Sequence, residues 1–317
     1  MRSINYLQLS QAVWPEDIFI EGGIMSRGDT MLIGAESKAG KSTFICGLMR
    51  EMLKGGDFLG FKITKPLRIL YTQAELRESR LLQRLKPTYD GLTVEQQEAF
   101  FVWSTRGLVT LESNKREIEM ELIETHPDVL VIDPMLNFHN YNENNAQEMA
   151  QFFRYLDYIK ETYDIAIIMA HHFRKATQDK NGKNPPLLEQ IRGSSAMRGW
   201  AVTTIAMEGR TSSEYRELAF DTRNSDEPFK RIIKYNRSTK DFDWHDPIAQ
   251  LYEWTKTYLG SLKEPPTTSK FLTAIFDSHG KLFSHNRTKI FEAKNMLLNT
   301  NLISEEIVGK KHLIHLV

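Results

Sequence analysis

A glycine-bearing stretch, GAESKAGKST, at residues 34–43 limits the possible folds of this chain more than any other segment. An apolar run at 31–33 precedes it, and apolar residues recur at helical spacing over 44–49 directly after it. This order of strand, loop and helix start is the setting of a phosphate-binding loop, in which backbone N–H groups and the helix dipole attract a polyphosphate. We therefore expect the chain to bind a nucleoside triphosphate. The predicted binding residues are Gly34, Ala35, Glu36, Ser37, Lys38, Ala39, Gly40, Lys41, Ser42 and Thr43.

Two positions of this loop are expected to have specific roles. Lys41 should reach the β- and γ-phosphates, and the Ser42 hydroxyl should ligate Mg²⁺. The strict pattern G-x-x-x-x-G-K-S requires a glycine at position 35, where this chain has Ala35, with Gly34 one place earlier. Because alanine is small enough for a tight loop, we interpret the difference as a variant of the same loop.

Composition excludes several classes of protein. The 317 residues include 41 basic and 41 acidic ones, so no overall charge favours nucleic acid or membrane. A single cysteine, Cys46, offers neither a disulfide framework nor a cysteine-based metal site. The first residues lack a secretory pattern, and the longest apolar run, 165–170, is far shorter than the ~20 residues of a membrane span. We expect a cytoplasmic protein without a membrane segment.

The order of predicted elements indicates an α/β fold. Buried strands are predicted at 67–71, 100–103, 129–133 and 165–170, and helices at 77–85, 114–125 and 147–162. Strands without polar alternation that are separated by helices predict a parallel sheet covered on both faces. Closely spaced strands at 202–207, 215–220 and 231–235 predict antiparallel pairing at one side of that sheet.

A small second module is predicted near the C-terminal end. Residues 260–269 are typical of a linker, and helices at 268–277 and 284–299 precede two strands that turn at Gly309. This outline predicts a winged-helix-like module at 263–317, after a domain at 1–262. Its second helix could contact duplex DNA through Asn286, Arg287, Lys289 and Lys294, or the module could serve only for packing or docking.

Two carboxylates are candidates for the chemistry of phosphate transfer. Asp133 ends a buried strand, where it is expected to hold Mg²⁺ opposite Ser42. Hydrolysis also needs a base that orients water. Glu75, just past another strand, is the candidate, within reach of the γ-phosphate if that strand is adjacent to the one before the loop. An acidic residue at a helix start is the alternative.

Two adjacent histidines follow the strand at 165–170. His171 or His172 is expected to touch the γ-phosphate and report its loss, while a structural histidine is the alternative. Adjacent residues of a strand face opposite sides, so one of the two is expected to point into the site. The long segment after them carries five basic and two acidic residues over 174–192, which suits phosphate contacts or a solvated loop.

Taken together, these segments resemble the RecA-like hexameric ATPases, and more narrowly their plasmid and phage RepA-type helicase branch (AAA_25-like), with DnaB-type helicases as more distant relatives. The resemblance covers roughly residues 18–245. It is carried by GAESKAGKST (34–43), ILYTQAEL (69–76), VLVIDP (129–134), IIMAHHFRK (167–175), IRGSSAMRGWAVTTIAME (191–208) and FDTRNSDEP (220–228).

The resemblance implies a RecA-like core, ATP and Mg²⁺ as ligands, Glu75 as catalytic base and His171 or His172 as sensor. It makes Arg223 the finger that reaches a neighbouring subunit's nucleotide, with Arg237 as its rival, so that the chain would form a homo-oligomer, a hexameric ring. Lys175, Lys183 and Arg192 become candidate contacts to single-stranded DNA in the central channel.

The implied function is a ring-forming replicative DNA helicase of a mobile element. Because the chain shows no primase, zinc-binding or large N-terminal helical domain, we expect replication partner proteins to load it. The alternative is a non-translocating RecA-like ATPase that acts as loader, regulator or nucleotide-dependent assembly switch. A small-molecule kinase is disfavoured, since it needs a dedicated acceptor pocket and lid.

Overall fold

The computed structural model describes residues 5–7, 17–36, 38–105, 110–111, 113–173, 187–191, 195–208, 215–224, 228–243, 247–280, 286–299 and 303–317. The chain divides into two compact units, Met1–Arg231 with Tyr235–Phe242, and Ile232–Lys234 with Asp243–Val317. Among the described helices, none combines the length and apolar character needed to span a bilayer.

The strands are, in chain order, β1 (Ile18–Ile20), β2 (Met25–Ser26), β3 (Thr30–Ala35), β4 (Asp57–Phe58), β5 (Phe61–Lys62), β6 (Ile69–Gln73), β7 (Phe100–Ser104), β8 (Val129–Asp133), β9 (Ala166–His172), β10 (Thr203–Glu208), β11 (Tyr215–Thr222), β12 (Phe229–Asn236), β13 (Asp241–Asp243), β14 (Ile303–Val308) and β15 (Lys311–Leu316). The helices are α1 (Lys41–Lys54), α2 (Glu78–Tyr89), α3 (Val94–Glu98), α4 (Lys115–Thr125), α5 (Ala146–Tyr163), α6 (Ser195–Trp200), α7 (Pro247–Ser261), α8 (Thr268–His279) and α9 (Arg287–Asn299).

The described residues form a nine-stranded sheet in the order β13-β12-β11-β10-β3-β9-β8-β6-β7. The strands β3 and β6 to β10 run parallel to one another. Residues 129–133 of β8 are buried throughout, as expected of a strand that is covered on both faces. The predicted parallel α/β sheet is confirmed.

The helix after the phosphate loop, α1, contains the apolar residues at 44–49 and continues to Lys54. One face of α1 buries its apolar residues, including Phe44, Leu48 and Met52. Gly55 ends the helix with a positive φ of 63°, and its N–H donates to the Met52 carbonyl at 3.3 Å. The helix therefore packs firmly on the sheet while its first turn stays at the edge where the strands end.

The antiparallel direction of β11 determines which of its residues lie near the phosphate loop. β11 pairs antiparallel with β10, with Thr203 opposite Thr222 and Glu208 opposite Glu217. Since β10 runs parallel to β3, the start of β11 lies at the edge that carries the phosphate loop, and its end lies at the opposite edge. Phe220 stacks on Phe229 across to β12, with ring centroids 4.8 Å apart.

The second unit has the predicted order of two helices and a hairpin. Helices α8 and α9 are followed by β14 and β15, which pair antiparallel and turn at Gly309 with φ 66°. Helix α7 belongs to the same unit, and its Trp254 ring stacks on Phe271 of α8 at 6.3 Å. The winged-helix identity of residues 263–317, and the boundary at 262, stay predictions.

Candidate nucleotide site

The residues predicted to bind or hydrolyse the nucleotide lie at one edge of the sheet, because the parallel strands that carry them end there. Gln73 at the end of β6 lies opposite Asp133 at the end of β8. On the other side of β8, β9 ends with His171 opposite Gly34 and His172 opposite Ala35 of β3. Carboxyl ends of parallel strands form the edge at which α/β proteins bind ligands. In the sheet β6 is not adjacent to β3, since β9 and β8 lie between them.

The phosphate loop connects β3 to the first turn of α1. Gly40 precedes the helix with φ 102°, a conformation that favours glycine, and Lys38 also has a positive φ, of 66°. The first turn of α1 contains no acidic residue, and no side chain caps it. Its N–H groups and the positive end of its dipole therefore face the loop without a competing carboxylate from that turn.

Lys41 and Asp133 form a buried ion pair at this edge. The Lys41 Nζ lies 2.7 Å from Asp133 Oδ1, and the side chains are 5% and 4% exposed. The Tyr71 hydroxyl donates to the other carboxylate oxygen at 3.1 Å. Burial and the neighbouring carboxylate raise the pKa of Tyr71 well above its ordinary value, so this hydroxyl stays a donor. The predicted phosphate ligand Lys41 and the predicted Mg²⁺ ligand Asp133 are thus in direct contact.

Glu75 lies just past β6 and faces the same edge. Its Oε1 is 4.0 Å from His172 Nε2, and both side chains are about half exposed. The Gln73 side chain holds the backbone here, because its Oε1 accepts from the N–H groups of Glu75 at 3.2 Å and Leu76 at 2.8 Å. A half-exposed carboxylate on a fixed backbone is suited to orienting a water molecule.

The two histidines face different surroundings, as the alternation of strand residues requires. Burial, followed by the Lys41 ammonium, lowers the pKa of His172, so this ring is mainly neutral near pH 7. His171 is buried, and its Nδ1 lies 3.7 Å from Glu143 Oε1. Of the two, His172 is the one beside Glu75, while His171 belongs to a separate buried cluster.

That cluster consists of His171, Glu143 and His139. Glu143 Oε1 lies 3.8 Å from His139 Nε2, and neither of these two buried atoms has a hydrogen-bond partner. Burial, with a contribution from His171, lowers the pKa of His139. Within the described residues, no group of three or more His, Cys, Asp or Glu side chains is arranged to hold a metal ion.

The predicted binding residues lie in three places: the end of β3, the loop, and the first turn of α1. Gly34 and Ala35 are the last residues of β3, and Gly34 makes room for Phe173, whose Cε1 lies 2.3 Å from the place a Cβ would occupy. Glu36, Ala39, Ser42 and Thr43 lie in the loop and the first turn of α1. Ser37 and the predicted DNA contacts Lys175, Lys183 and Arg192 lie outside the described residues.

The two candidate fingers lie at opposite edges of the sheet. Arg223 follows the end of β11, so it lies at the edge away from its own phosphate loop, and its guanidinium donates to the Gly199 carbonyl. Arg237 follows β12 in the turn before β13. It lines a pocket of about 390 Å³ together with Lys38, Gly40 and Thr43 of the loop region.

A second pocket adjoins the first, since Thr43, Tyr235 and Lys240 line both. Its volume is about 570 Å³, and Thr43 of α1 and Tyr235 of β12 line it together with Arg80 and Arg84 of α2. An aromatic ring and guanidinium planes are surfaces on which a nucleobase can stack. The pocket is therefore large enough and suitably lined for the nucleoside part of a nucleotide.

One interpretation of the C-terminal module needs correction. Lys294 of α9 is not available to contact DNA, because its side chain is only 5% exposed and its Nζ lies 3.3 Å from Glu305 Oε2. Its basic character made Lys294 a candidate, but packing of α9 on the hairpin buries its side chain. Arg287, at the start of α9, is exposed.

The sequence did not identify three residues that shape the site. Tyr71 and Gln73 lie on β6, a run that was interpreted only as a buried strand, although two polar groups near its end were a usable signal. Glu143 lies in a polar stretch, NYNENN (140–145), that carries no recognisable motif. Its approach to His139 and His171 depends on long-range packing, which no local pattern encodes.

A comparison with protein-family models identifies a family for this chain. A family model described as an AAA domain, AAA_25, matches residues 15–178, about half of the chain. A comparison with curated protein sequences gave no match.

Two solved structures are similar to the chain. One is titled the ATPase domain of G40P, at 12% identity with a TM-score of 0.49, over 68% of this chain and 84% of that one. The other is titled a DnaB-like replicative helicase and its interactions with primase, at 14% identity with a TM-score of 0.50. It aligns with 68% of this chain, which spans 57% of that structure's length. At this identity the second likeness shows the fold alone.

Proposed function

The chain belongs to the AAA_25 family of AAA domains, and on this premise we propose that it is an ATP-hydrolysing motor that acts on single-stranded DNA. The observation that carries the proposal is the Lys41–Asp133 pair, 2.7 Å apart at the start of α1. A phosphate-binding lysine, a strand-end carboxylate and a helix N-terminus thus meet at one point. Glu75 and His172 flank the same edge.

The residues present fit a nucleotide with Mg²⁺. Asp133 and Ser42 supply hard oxygen ligands at the strand end and the helix start, which Mg²⁺ prefers. When bound, Mg²⁺ neutralises charge on the phosphates and orients them. Lys41 must then exchange part of its contact with Asp133 for the phosphates. We propose that the pocket beside Tyr235 and Arg84 accepts the nucleoside.

Glu75 is proposed as the base that orients and deprotonates the attacking water. Gln73 fixes the backbone of Glu75, so that only its side-chain torsions remain free. His172 lies beside this carboxylate and is mainly neutral near pH 7, so it can exchange a hydrogen bond with a phosphate oxygen for one with Glu75. We propose His172 as the sensor of the γ-phosphate, and His171 as a buried structural neighbour.

The assembly and the DNA substrate are inferred from the family resemblance. We propose a homo-oligomeric ring in which Arg223 completes a neighbouring subunit's site, with Arg237 as the rival. A guanidinium that enters the site of phosphoryl transfer stabilises the developing charge. The proposed DNA contacts are Lys175, Lys183 and Arg192. The segment 263–317 is proposed as a winged-helix-like module. By analogy with the DnaB-like helicase whose title names primase, replication proteins are proposed partners of this mobile-element helicase.

ATP hydrolysis and the unwinding of a forked duplex test the function together. We expect turnover that rises on addition of single-stranded DNA, and ATP-dependent strand separation. The matched variant Glu75→Gln should bind ATP and fail to hydrolyse it, because the amide cannot accept a proton. Hydrolysis that neither responds to DNA nor separates strands would instead support a nucleotide-dependent loader or switch, and the motor function would be wrong.

A further inference from the structure

Arg216, the second residue of β11, is tied to the backbone of the phosphate loop. Its side chain is buried, with 5% relative exposure. The Nε group donates a hydrogen bond to the Ala39 carbonyl at 2.6 Å. The antiparallel pairing of β11 with β10 places this residue at the edge where the loop lies, although 177 positions of sequence separate the two partners. No motif of the loop itself contains this contact.

The geometry of a single peptide unit makes this contact consequential. The Ala39 carbonyl and the Gly40 N–H belong to one planar trans peptide, so they point in opposite directions. When Arg216 holds the carbonyl, the Gly40 N–H is turned away from Arg216. The flanking peptides are already fixed, because Ala39 N–H donates to the Glu36 carbonyl at 3.2 Å and the Gly40 carbonyl accepts from Phe44 at 2.9 Å.

Gly40 is the residue at which such a peptide could turn over. Glycine adopts positive and negative φ with similar ease, and here φ is 102°. Phe242 closes one side of this glycine, since its Cζ lies 3.0 Å from the place where a Cβ would be. The Phe242 ring also meets Phe44 of α1 edge-on, with centroids 6.4 Å apart. The wall formed by Arg216 and Phe242 therefore selects one conformation of a loop that could otherwise take several.

We propose that Arg216 is a positioning residue of the nucleotide site, which orients the 39–40 peptide so that the Gly40 N–H faces the phosphates. This inference rests on the proposed binding of ATP. It means that β11, a strand outside the loop, contributes to phosphate binding through Arg216. Backbone N–H groups donate most of the hydrogen bonds that such loops make to phosphate. If the Gly40 N–H turned away, the affinity for every ligand with a polyphosphate would fall.

The test combines ligand affinity with amide exchange in the full chain. The variants are Arg216→Met, which removes the donor, and Arg216→Lys, which keeps the charge. The matched control is Arg68→Met, because Arg68 also donates to a backbone carbonyl, that of Thr125, from Nη2 at 2.8 Å. Arg68 precedes β6 and so lies at the opposite edge of the sheet.

Calorimetry with ATP and with inorganic tripolyphosphate gives the affinities, and hydrogen exchange of the segment 36–44 is followed without ligand. For Arg216→Met we expect about tenfold weaker binding of both ligands, the size of one lost charge-assisted hydrogen bond, and faster exchange in the segment. Arg216→Lys should lose less, and Arg68→Met should match the wild type. If Arg216→Met fails to fold, Arg216→Lys carries the test with an intermediate loss.

The outcomes separate this inference from the proposed function. Weaker binding with unchanged exchange would mean that Arg216 contacts the phosphates directly, and unchanged binding would remove any role in the site. Either result overturns the positioning role while nucleotide binding stands. A wild-type chain that binds neither ATP nor tripolyphosphate would instead overturn the proposed function.

Discussion

Replacing Lys41 by methionine in the nucleotide-free protein leaves the Asp133 carboxylate buried without its cation. The two side chains are 5% and 4% exposed and their charged atoms are 2.7 Å apart. At an effective dielectric constant of about 20, this distance corresponds to roughly 6 kcal/mol of attraction, much of which offsets desolvation. Removing one partner of such a pair costs about 3–5 kcal/mol, and the Tyr71 hydroxyl, at 3.1 Å, replaces little of it.

The double variant Lys41→Met/Asp133→Asn should be more stable than Lys41→Met alone. It removes both charges, so we expect it to lose only about 1 kcal/mol relative to the wild type. Urea unfolding, followed by far-UV circular dichroism and tryptophan fluorescence, measures the difference. With a slope of about 3 kcal/mol per molar urea, the single variant should shift the midpoint of unfolding by roughly 1–1.7 M.

An exposed ion pair in the same unit provides the control. Lys86 Nζ lies 2.9 Å from Asp90 Oδ2, but the side chains are 64% and 58% exposed, so Lys86→Met should change stability by no more than about 0.5 kcal/mol. If the effects of Lys41→Met and Asp133→Asn simply add, within about 0.5 kcal/mol, the pair is not coupled. The description of the site as a buried ionic centre would then be wrong.

Three further predictions follow from the site. His172→Ala should slow ATP hydrolysis at saturating ATP more than it weakens ATP binding, because a γ-phosphate sensor acts after binding; equal losses would argue against that role. Burial lowers the pKa of His139, so the unfolded chain binds more protons below pH 6.5 and stability should fall as the pH drops; thermal unfolding should show a flatter pH dependence for His139→Gln. Arg223→Ala should still bind nucleotide but lose ATP turnover, and mixing it with Lys41→Ala subunits should restore part of the turnover. Arg237→Ala is assayed in parallel. If only Arg237→Ala showed this pattern, Arg237 and not Arg223 would be the finger.

The pattern of the chain predicted the fold class and the loop because both depend on local sequence. Apolar runs without polar alternation, such as 129–133, indicated buried parallel strands, and the structure confirms them. GAESKAGKST lies between a strand and a helix, and Gly40 and Lys41 occupy the turn and the helix start that the motif requires. The AAA domain family was likewise recognisable from short segments in order.

The partners across the sheet could not be predicted in the same way. Which histidine faces the site was left open, because alternation on a strand shows that neighbours diverge but does not show which side carries the ligand. Only the folded structure shows that His172 lies near Glu75 and His171 near Glu143, and the sensor role of His172 stays a prediction.

The order of residues along the chain specifies which groups are available for chemistry: a lysine after a glycine loop, and carboxylates at strand ends. Folding specifies how these groups are held, through contacts such as Lys41 with Asp133, 92 positions away, and Ala39 with Arg216, 177 positions away. The physical reason is that local propensity acts within a few residues. Strand order and register, in contrast, are set by packing of the whole sheet.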